Sequence, residues 1–599
     1  MALWFAVISL ACGFAGQFFL YTRQVLLPGL ILFAAGIVFF IKADKTSAAI
    51  EKSDISKKNE IIIFCLIMAL AVFFRVFRLD QVPAGCFVDE AQNGFDAQNI
   101  LKGSLPVYIG FSTHNAALFL YMIADVFKIF GPGATQVRVV SAALGILTVP
   151  AFYFLLRHLF GVRPALLGAF FLAVLRWHVN FSRIGFHAAF ALFVFVLVLY
   201  FVCRAYKSRK WIDFIALGIS LGISQNTYQA ARLIPVWLFL AVVYLFIKDR
   251  GFFTGNYKKI IAAAAIAVTL SLPIINYAVN NPKVFFRRQG EVNIFTKGAV
   301  DNSYRYSGKY TPVSLFFQNM KDTVLMFNYK GDTNARHNIP GKPVLDFTMG
   351  VFMLLGFGYM LFKIADPAHL FFISIFAVFV VAGFMTIEAP QSLRVIFTIP
   401  AIVAFAAVSF DRLFGIIERS FAKASGKVFI AAAAVIAVLT AGVSSYRIYF
   451  NEQATNPFCW HDFATNAYTA GKYYKGLGPG WRAALNVEFD KRRTFNMAAS
   501  GEDIDNYDDF VIDGSIPAKP ADKKNYVYIL PPNYSSLVEP VFKAIYPGGR
   551  YVPFYNKYSK DWMIYFAYEV PYEEIARVAA KKEVNGLMLT RYASKDLTG

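Results

Sequence analysis

Two adjacent acidic residues, Asp89-Glu90, stand in Pro83-Ala-Gly-Cys-Phe-Val-Asp-Glu-Ala-Gln92, just after a hydrophobic segment. Acidic side chains are scarce in the apolar surroundings, and a carboxylate at a membrane surface is suited to taking a proton from a hydroxyl nucleophile. The pair should open a helix running to Leu101, on which Asp89, Asn93 and Asp96 share one face and Glu90 lies about 100° away. The alternative is structural: first-turn carboxylates also complement the helix dipole and bind free N–H groups. His114 ends the same loop. Arg138, Arg183, Arg232 and Arg394 recur at outer helix ends, where the positive-inside rule disfavours them. Each could snorkel to headgroups, but together they suggest an anionic ligand such as a phosphate. His187 closes Asn180-Phe-Ser-Arg-Ile-Gly-Phe-His187. A further loop, Gly331-Asp-Thr-Asn-Ala-Arg-His-Asn-Ile-Pro-Gly-Lys-Pro343, offers Asp332, Arg336 and His337 as substrate contacts.

These residues must be held by a largely apolar chain. Of its 599 residues 57% are hydrophobic and 63 are Phe, a composition outside the range of a soluble enzyme. Apolar runs long enough to cross a bilayer recur from Ala2 to about Val443. Residues 448–599 hold 18 Lys and Arg against 18 Asp and Glu, so the whole excess behind the net charge of +21 lies in the apolar part. That placement reads as topology signal and anionic-lipid contact, not as a nucleic-acid footprint.

Lys42, Lys45, Lys52, Lys57 and Lys58 make the 42–60 loop cytoplasmic, and the Asp89 loop is then extracytoplasmic. About thirteen spans follow, near 2–20, 25–41, 61–77, 137–157, 164–178, 188–204, 211–226, 232–247, 260–278, 346–363, 369–385, 394–414 and 428–446. Ala116–Phe130 should lie at the interface, being short and interrupted by Asp125 and Lys128. This predicts a multi-pass protein of the plasma (inner) membrane, N-terminus inside, with a small extracytoplasmic α/β domain at 448–599. Strands are expected at Tyr526–Leu530, Tyr551–Tyr555 and Trp562–Tyr568, and helices at Ser536–Ile545 and Glu573–Lys582. Residues 279–345 read as a long outer loop with little apolar periodicity. Cys86 and Cys459 should both face outward, where a disulfide between them is an open alternative. Asp503-Ile-Asp505 spells D-x-D but follows no clear strand. Gly476-Leu-Gly-Pro-Gly480 lacks the strand–turn–helix of a dinucleotide site. No Walker motif is present.

The ordered set of motifs resembles the GT-C superfamily of integral-membrane glycosyltransferases. The branch is that of protein O-mannosyltransferases and the lipid A aminoarabinose transferase (glycosyltransferase family 39-like). The matching elements are Asp89-Glu90, Arg138–Pro150, Tyr153–Gly161, Phe181-Ser-Arg183, Tyr228–Arg232 with Pro235, and Ser392-Leu-Arg394 with Pro400. They run in family order across roughly 61–414, which makes the first two helices an addition. The resemblance implies inverting transfer of a sugar from a polyprenyl-phosphate donor, with Asp89 as base. The acceptor would be a lipid, glycan or protein. His114-Asn-Ala-Ala-Leu118 replaces the Pro-Pro-Leu common in the family. In the aminoarabinose branch that place contacts metal and phosphate, so the resemblance makes His114 a candidate for either contact, to a divalent metal or to the substrate. Ile184 replaces an acidic residue and argues against a two-carboxylate mechanism. The chemistry agrees: a lipid phosphate leaves readily and needs cations, while the acceptor hydroxyl needs one base. A lipid-linked-sugar flippase would instead place polar groups near the midplane, and a glycan-binding scaffold would not need Asp89.

Overall fold

The computed structural model describes residues 1–47, 55–110, 114–302, 308–421, 423–486, 492–500, 507–510 and 523–580. Lys52, Asp503-Ile-Asp505 and the last two residues of the helix expected at Glu573–Lys582 lie outside them. Ten described helices are long and apolar enough to cross a membrane, from Ala2–Thr22 to Ser425–Gln453. Val162–Val174 and Arg176–Ser182 form a further segment bent by 57°. Trp211–Gln225 and Phe347–Phe362 are apolar but only 15 and 16 residues long. All thirteen expected spans are thus helical, two of them shorter than the roughly 20 residues a bilayer core takes. Leu118–Phe130, 13 residues, is among neither set.

Local sequence explains several helix starts. Asp346 accepts from the Met349 N–H at 3.0 Å and Asp366 from the Ala368 N–H at 2.8 Å, the latter with Pro367 at the first helical position. The 279–345 segment departs from the expected loop. It contains helices Pro282–Val292 and Pro312–Leu325, the second capped by Thr311, whose Oγ1 accepts from Ser314 N at 3.2 Å. The signals were Asn281-Pro282 and Thr311-Pro312, an N-cap followed by proline, rather than apolar periodicity.

The first two helices pack against Phe347–Phe362 through small residues: Gly13 faces Val351 and Leu355, and Gly36 faces Leu355. Polar ties hold both ends of this hairpin. Asp44 receives Arg412 at 2.5 Å and Lys363 at 2.8 Å. At the other end Asn328 donates to Gln17 at 2.7 Å and Tyr329 to the Gln24 carbonyl at 2.9 Å.

The C-terminal region carries a five-stranded sheet ordered Tyr507–Phe510, Trp481–Asn486, Asn525–Leu530, Ser559–Val570, Arg550–Asn556. The first three strands are parallel and the last two antiparallel. Strand alternation serves two cores. Val527 and Ile529 pack with Ala467, Ala470 and Phe495 on one face; Tyr526, Tyr528 and Leu530 pack with Val538, Phe542 and Ile575 on the other. The expected strands and the helix at Ser535–Ile545 are present, and the second helix spans Tyr572–Ala580. Trp481–Asn486, Thr465–Leu477 and Arg492–Ala499 were not anticipated. Cys86 and Cys459 are both buried and both free, so no disulfide joins them.

Candidate functional site

The helix Val88–Leu101 separates the two carboxylates that begin it. Glu90 turns inward and is fully buried. Its carboxylate accepts from its own Phe87 N–H at 2.9 Å, from Gly185 N–H at 2.8 Å, and from Arg138 Nε and Nη2 at 2.8 and 2.9 Å. Arg138 spends its remaining donors on the Pro83 and Gly85 carbonyls, at 2.8 and 2.5 Å. The pair therefore pins the loop before Asp89 to the helix Ala134–Phe160. Asp89, one residue earlier, opens onto a polar cavity of about 520 Å³.

That cavity is also lined by Asn93, His187, Tyr228, Arg288, Asp332, Arg336, His337, Glu388, Gln391 and Arg394. Six sequence candidates thus meet there: Asp89, His187, Asp332, Arg336, His337 and Arg394. Asp89 is exposed to the cavity, yet partial desolvation by the surrounding walls raises its carboxyl pKa, against the pull of Arg336 and Arg288. Arg336 lies 4.0 Å from the Phe87 ring centroid and reaches Asp462 at 3.4 Å. Glu388 bridges two cations, Arg394 at 2.9 Å and Arg288 at 3.4 Å. Burial alone would raise the Glu388 carboxyl, but Arg394 and Arg288 hold it below its ordinary value. Arg288 was missed from sequence, although Arg287-Arg288 in an outer segment carries the same signal as Arg394.

Asp332 is structural within the wall. One oxygen accepts from Asn334 N–H at 2.8 Å; the other accepts from Ser392 N–H and Oγ, both 2.8 Å, and meets His337 Nδ1 at 3.1 Å. Burial raises its pKa, but the His337 ring and these hydrogen bonds outweigh it, and the carboxyl sits below the ordinary range. The 331–343 loop is so joined to the 388–394 turn.

Five candidates lie elsewhere, and the reasons are geometric. Glu90 and Arg138 neutralise each other. Arg183 donates to the Phe74, Phe77 and Val82 carbonyls at 2.8–2.9 Å, closing the end of the helix Lys57–Val76, and does not line the cavity. Asp96 accepts from Gln92 at 2.7 Å. His114 contributes its backbone carbonyl, to Tyr108 at 2.8 Å and Gln229 at 2.5 Å. Among the described residues no three His, Cys, Asp or Glu side chains assemble as a metal would require, and the Asp332 oxygens are already engaged.

Arg232 occupies a neighbouring cavity. Its guanidinium stacks 3.8 Å from the Phe285 ring centroid, at one end of an apolar groove of about 900 Å³ between Trp211–Gln225, Ile234–Lys248 and Arg250–Asn280. Residues 225–232 and 285–288 contribute to the walls of both spaces. Gln225, Arg232 and Phe285 line the apolar groove, while Tyr228, Gln229 and Arg288 line the polar cavity.

Behind the Asp89 helix sits the C-terminal region. Thr494 donates to the Cys86 carbonyl at 2.9 Å, Met497 faces Gly94, and Gly85 abuts the Phe463 backbone.

Residues 114–277 match the family model of dolichyl-phosphate-mannose-protein mannosyltransferases. Among solved structures the chain is similar to ArnT from Cupriavidus metallidurans bound to undecaprenyl phosphate, with TM-score 0.53 and 13% identity over 86% of this chain and 98% of that one. The apo state of ArnT gives a TM-score of 0.50 over the same shares, also at 13% identity. The Archaeoglobus fulgidus oligosaccharyltransferase in its apo form is a fainter likeness, with TM-score 0.49 and 15% identity over 74% of this chain and 64% of that one. No curated protein matches the sequence.

Proposed function

From a chain with the GT-C fold, we propose an inverting glycosyltransferase that moves a sugar from a polyprenyl-phosphate donor to a hydroxyl or amine of a lipid, glycan or protein acceptor. The observation that carries this reading is the adjacency of the two cavities along the chain: Arg232 and Phe285 line one end of an apolar groove, Tyr228, Gln229 and Arg288 a few residues away line the polar space, and that space holds the carboxylate of Asp89. In this reading the prenyl chain lies in the groove and its phosphate meets Arg232, Arg288 and Arg394. The sugar enters the cavity.

Buried polar atoms favour a sugar there. Asn93 donates its amide to the Gly185 carbonyl at 2.8 Å and Gln391 donates to Glu388 at 2.9 Å, so both present a carbonyl oxygen that makes no hydrogen bond within the protein. An unsatisfied buried acceptor costs about 1–3 kcal/mol, which ligand hydroxyls would recover. Arg394 Nε and His187 Nε2 are likewise unpartnered. Asp89 takes the acceptor proton, and its raised pKa makes it a stronger base than an ordinary aspartate. The acceptor oxygen bonds to the anomeric carbon as the carbon–phosphate oxygen bond breaks, and the arginines stabilise the departing phosphate.

The reaction is assigned to the outer face of a plasma (inner) membrane, with the N-terminus cytoplasmic and residues 448–599 outside. Purified protein incubated with radiolabelled polyprenyl-phosphate sugars should label a lipid, glycan or protein fraction. Absence of transfer and of donor binding across the series would overturn the proposal.

A further inference from the structure

A third cavity, about 700 Å³, adjoins the polar one that holds Asp89: Thr333 and Pro390 line both. Its walls have three sources. The turn between the first two helices supplies Tyr21, Gln24 and Leu26; the helix Pro312–Leu325 and the turn beyond it supply Lys321 and Lys330; the 331–343 loop supplies Lys342. The N-terminal hairpin, an addition to the resembling core, is therefore part of this wall, and its ties to Asn328 and Tyr329 hold it there.

Charge distinguishes this space from the apolar groove. Lys342 is neutralised by Glu452. The other acid in the lining, Asp322, accepts from Gln318 at 2.8 Å rather than from a lysine. Lys321 and Lys330 are exposed and form no ion pair among the described residues; Lys330 rests 5.5 Å from the Tyr329 ring centroid. Two ammonium groups outside any ion pair among the described residues, against the single acid Asp322 in the same lining, thus flank a cleft with apolar contributions from Leu26 and Leu325, at the turn of a hairpin of membrane-length helices. An ammonium at such a surface attracts anionic headgroups.

We infer that this cleft binds the acceptor, and that the acceptor is an anionic lipid whose phosphate meets Lys321 and Lys330 while its hydroxyl passes Thr333 and Pro390 toward Asp89. The inference rests on the glycosyltransferase reading. It gives donor and acceptor separate doors into one cavity: the donor past Tyr228 and Arg288, the acceptor past Thr333. The step balances without another reactant. The acceptor oxygen bonds to the sugar, its proton passes to Asp89, and polyprenyl phosphate leaves with the bonding electron pair.

The test uses full-length protein in phosphatidylcholine nanodiscs titrated with phosphatidylglycerol, with retained lipid read by native mass spectrometry and polyprenyl-phosphate affinity measured in parallel. Wild type should prefer phosphatidylglycerol to phosphatidylcholine. Lys321→Glu with Lys330→Glu should weaken that retention roughly tenfold or more, and Lys321→Arg with Lys330→Arg should restore it. Donor affinity should stay unchanged in both double variants, which also reports an intact fold. Equal retention of the two lipids by wild type, or undiminished retention after charge reversal, overturns the inference. So does displacement of polyprenyl phosphate by phosphatidylglycerol, which would mean one shared site. Competition by inorganic phosphate that abolishes retention assigns the site to free phosphate and also overturns it. Loss of donor binding in wild type would strike the glycosyltransferase reading instead, leaving the lipid result to be read by itself.

Discussion

Asp89 meets solvent in a walled cavity, whereas Glu90, 100° further around the helix, is sealed against Arg138. The two should therefore fail differently. Asp89→Asn should lower turnover about 10²-fold or more with the fold intact. Its carboxyl pKa is raised in the folded state, so ionisation there works against stability, and that penalty disappears as pH falls through the raised value. The melting temperature of Asp89→Asn at neutral pH should accordingly equal or exceed wild type. The acid limb of kcat/KM should lie above the ordinary aspartate value of about 3.9 and vanish in this variant. A folded Asp89→Asn protein with near-normal turnover would remove the base from the mechanism. Glu90→Gln should act through the fold. It leaves Arg138 buried without its counter-charge, a loss of about 3–5 kcal/mol measurable by denaturant unfolding. Full stability combined with lost turnover would instead move the chemistry to Glu90. Residue types and spacing could show the acidic pair and its helix, but only the resemblance singled out Asp89, the member that faces the cavity. Which member turns inward depends on Gly185, whose N–H meets Glu90 only after the chain has crossed back. Arginine raised the same difficulty. Arg183 and Arg394 look alike as outer-face cations, yet one meets backbone carbonyls and the other a cavity.

Spans were readable because apolar runs at membrane length admit few alternatives, and the same reading overlooked Pro282–Val292 and Pro312–Leu325 because amphipathic outer helices lack such runs. Those elements matter, for the first delivers Phe285 to the apolar groove and Arg288 to the polar cavity. If this junction holds the donor phosphate, Arg232→Ala and Arg394→Ala should each weaken binding of polyprenyl phosphate by about 1.5–3 kcal/mol, read by titration. Unchanged affinity in both variants would return these arginines to packing and headgroup contact. Arg183→Ala offers a contrast: its guanidinium caps the end of Lys57–Val76, so the expected effect is on stability, with donor affinity per folded molecule preserved.

At the scale of the molecule, the sheet region and the Asp89 helix form one packed body through Arg492–Ala499. The parallel strand Trp481–Asn486 escaped notice because its neighbour Asn525–Leu530 lies some forty residues away, so no hairpin turn marks the pair. Single-cysteine labelling should find residues of 448–462 on the same membrane side as 102–105 and opposite 42–46. Labelling of 448–462 and 42–46 from one side would overturn the assigned orientation. The Thr494–Cys86 hydrogen bond and the seat of Met497 on Gly94 have a thermodynamic consequence. Anything that binds only the ordered form of the Asp89 loop must also draw its free energy from keeping the sheet docked. A donor should then shield the C-terminal sheet from protease although it touches none of it, and the shielding should grow with the logarithm of donor concentration. Cutting that contact by Met497→Asp should leave the digestion rate of the sheet indifferent to donor, as two bodies no longer share one unfolding equilibrium.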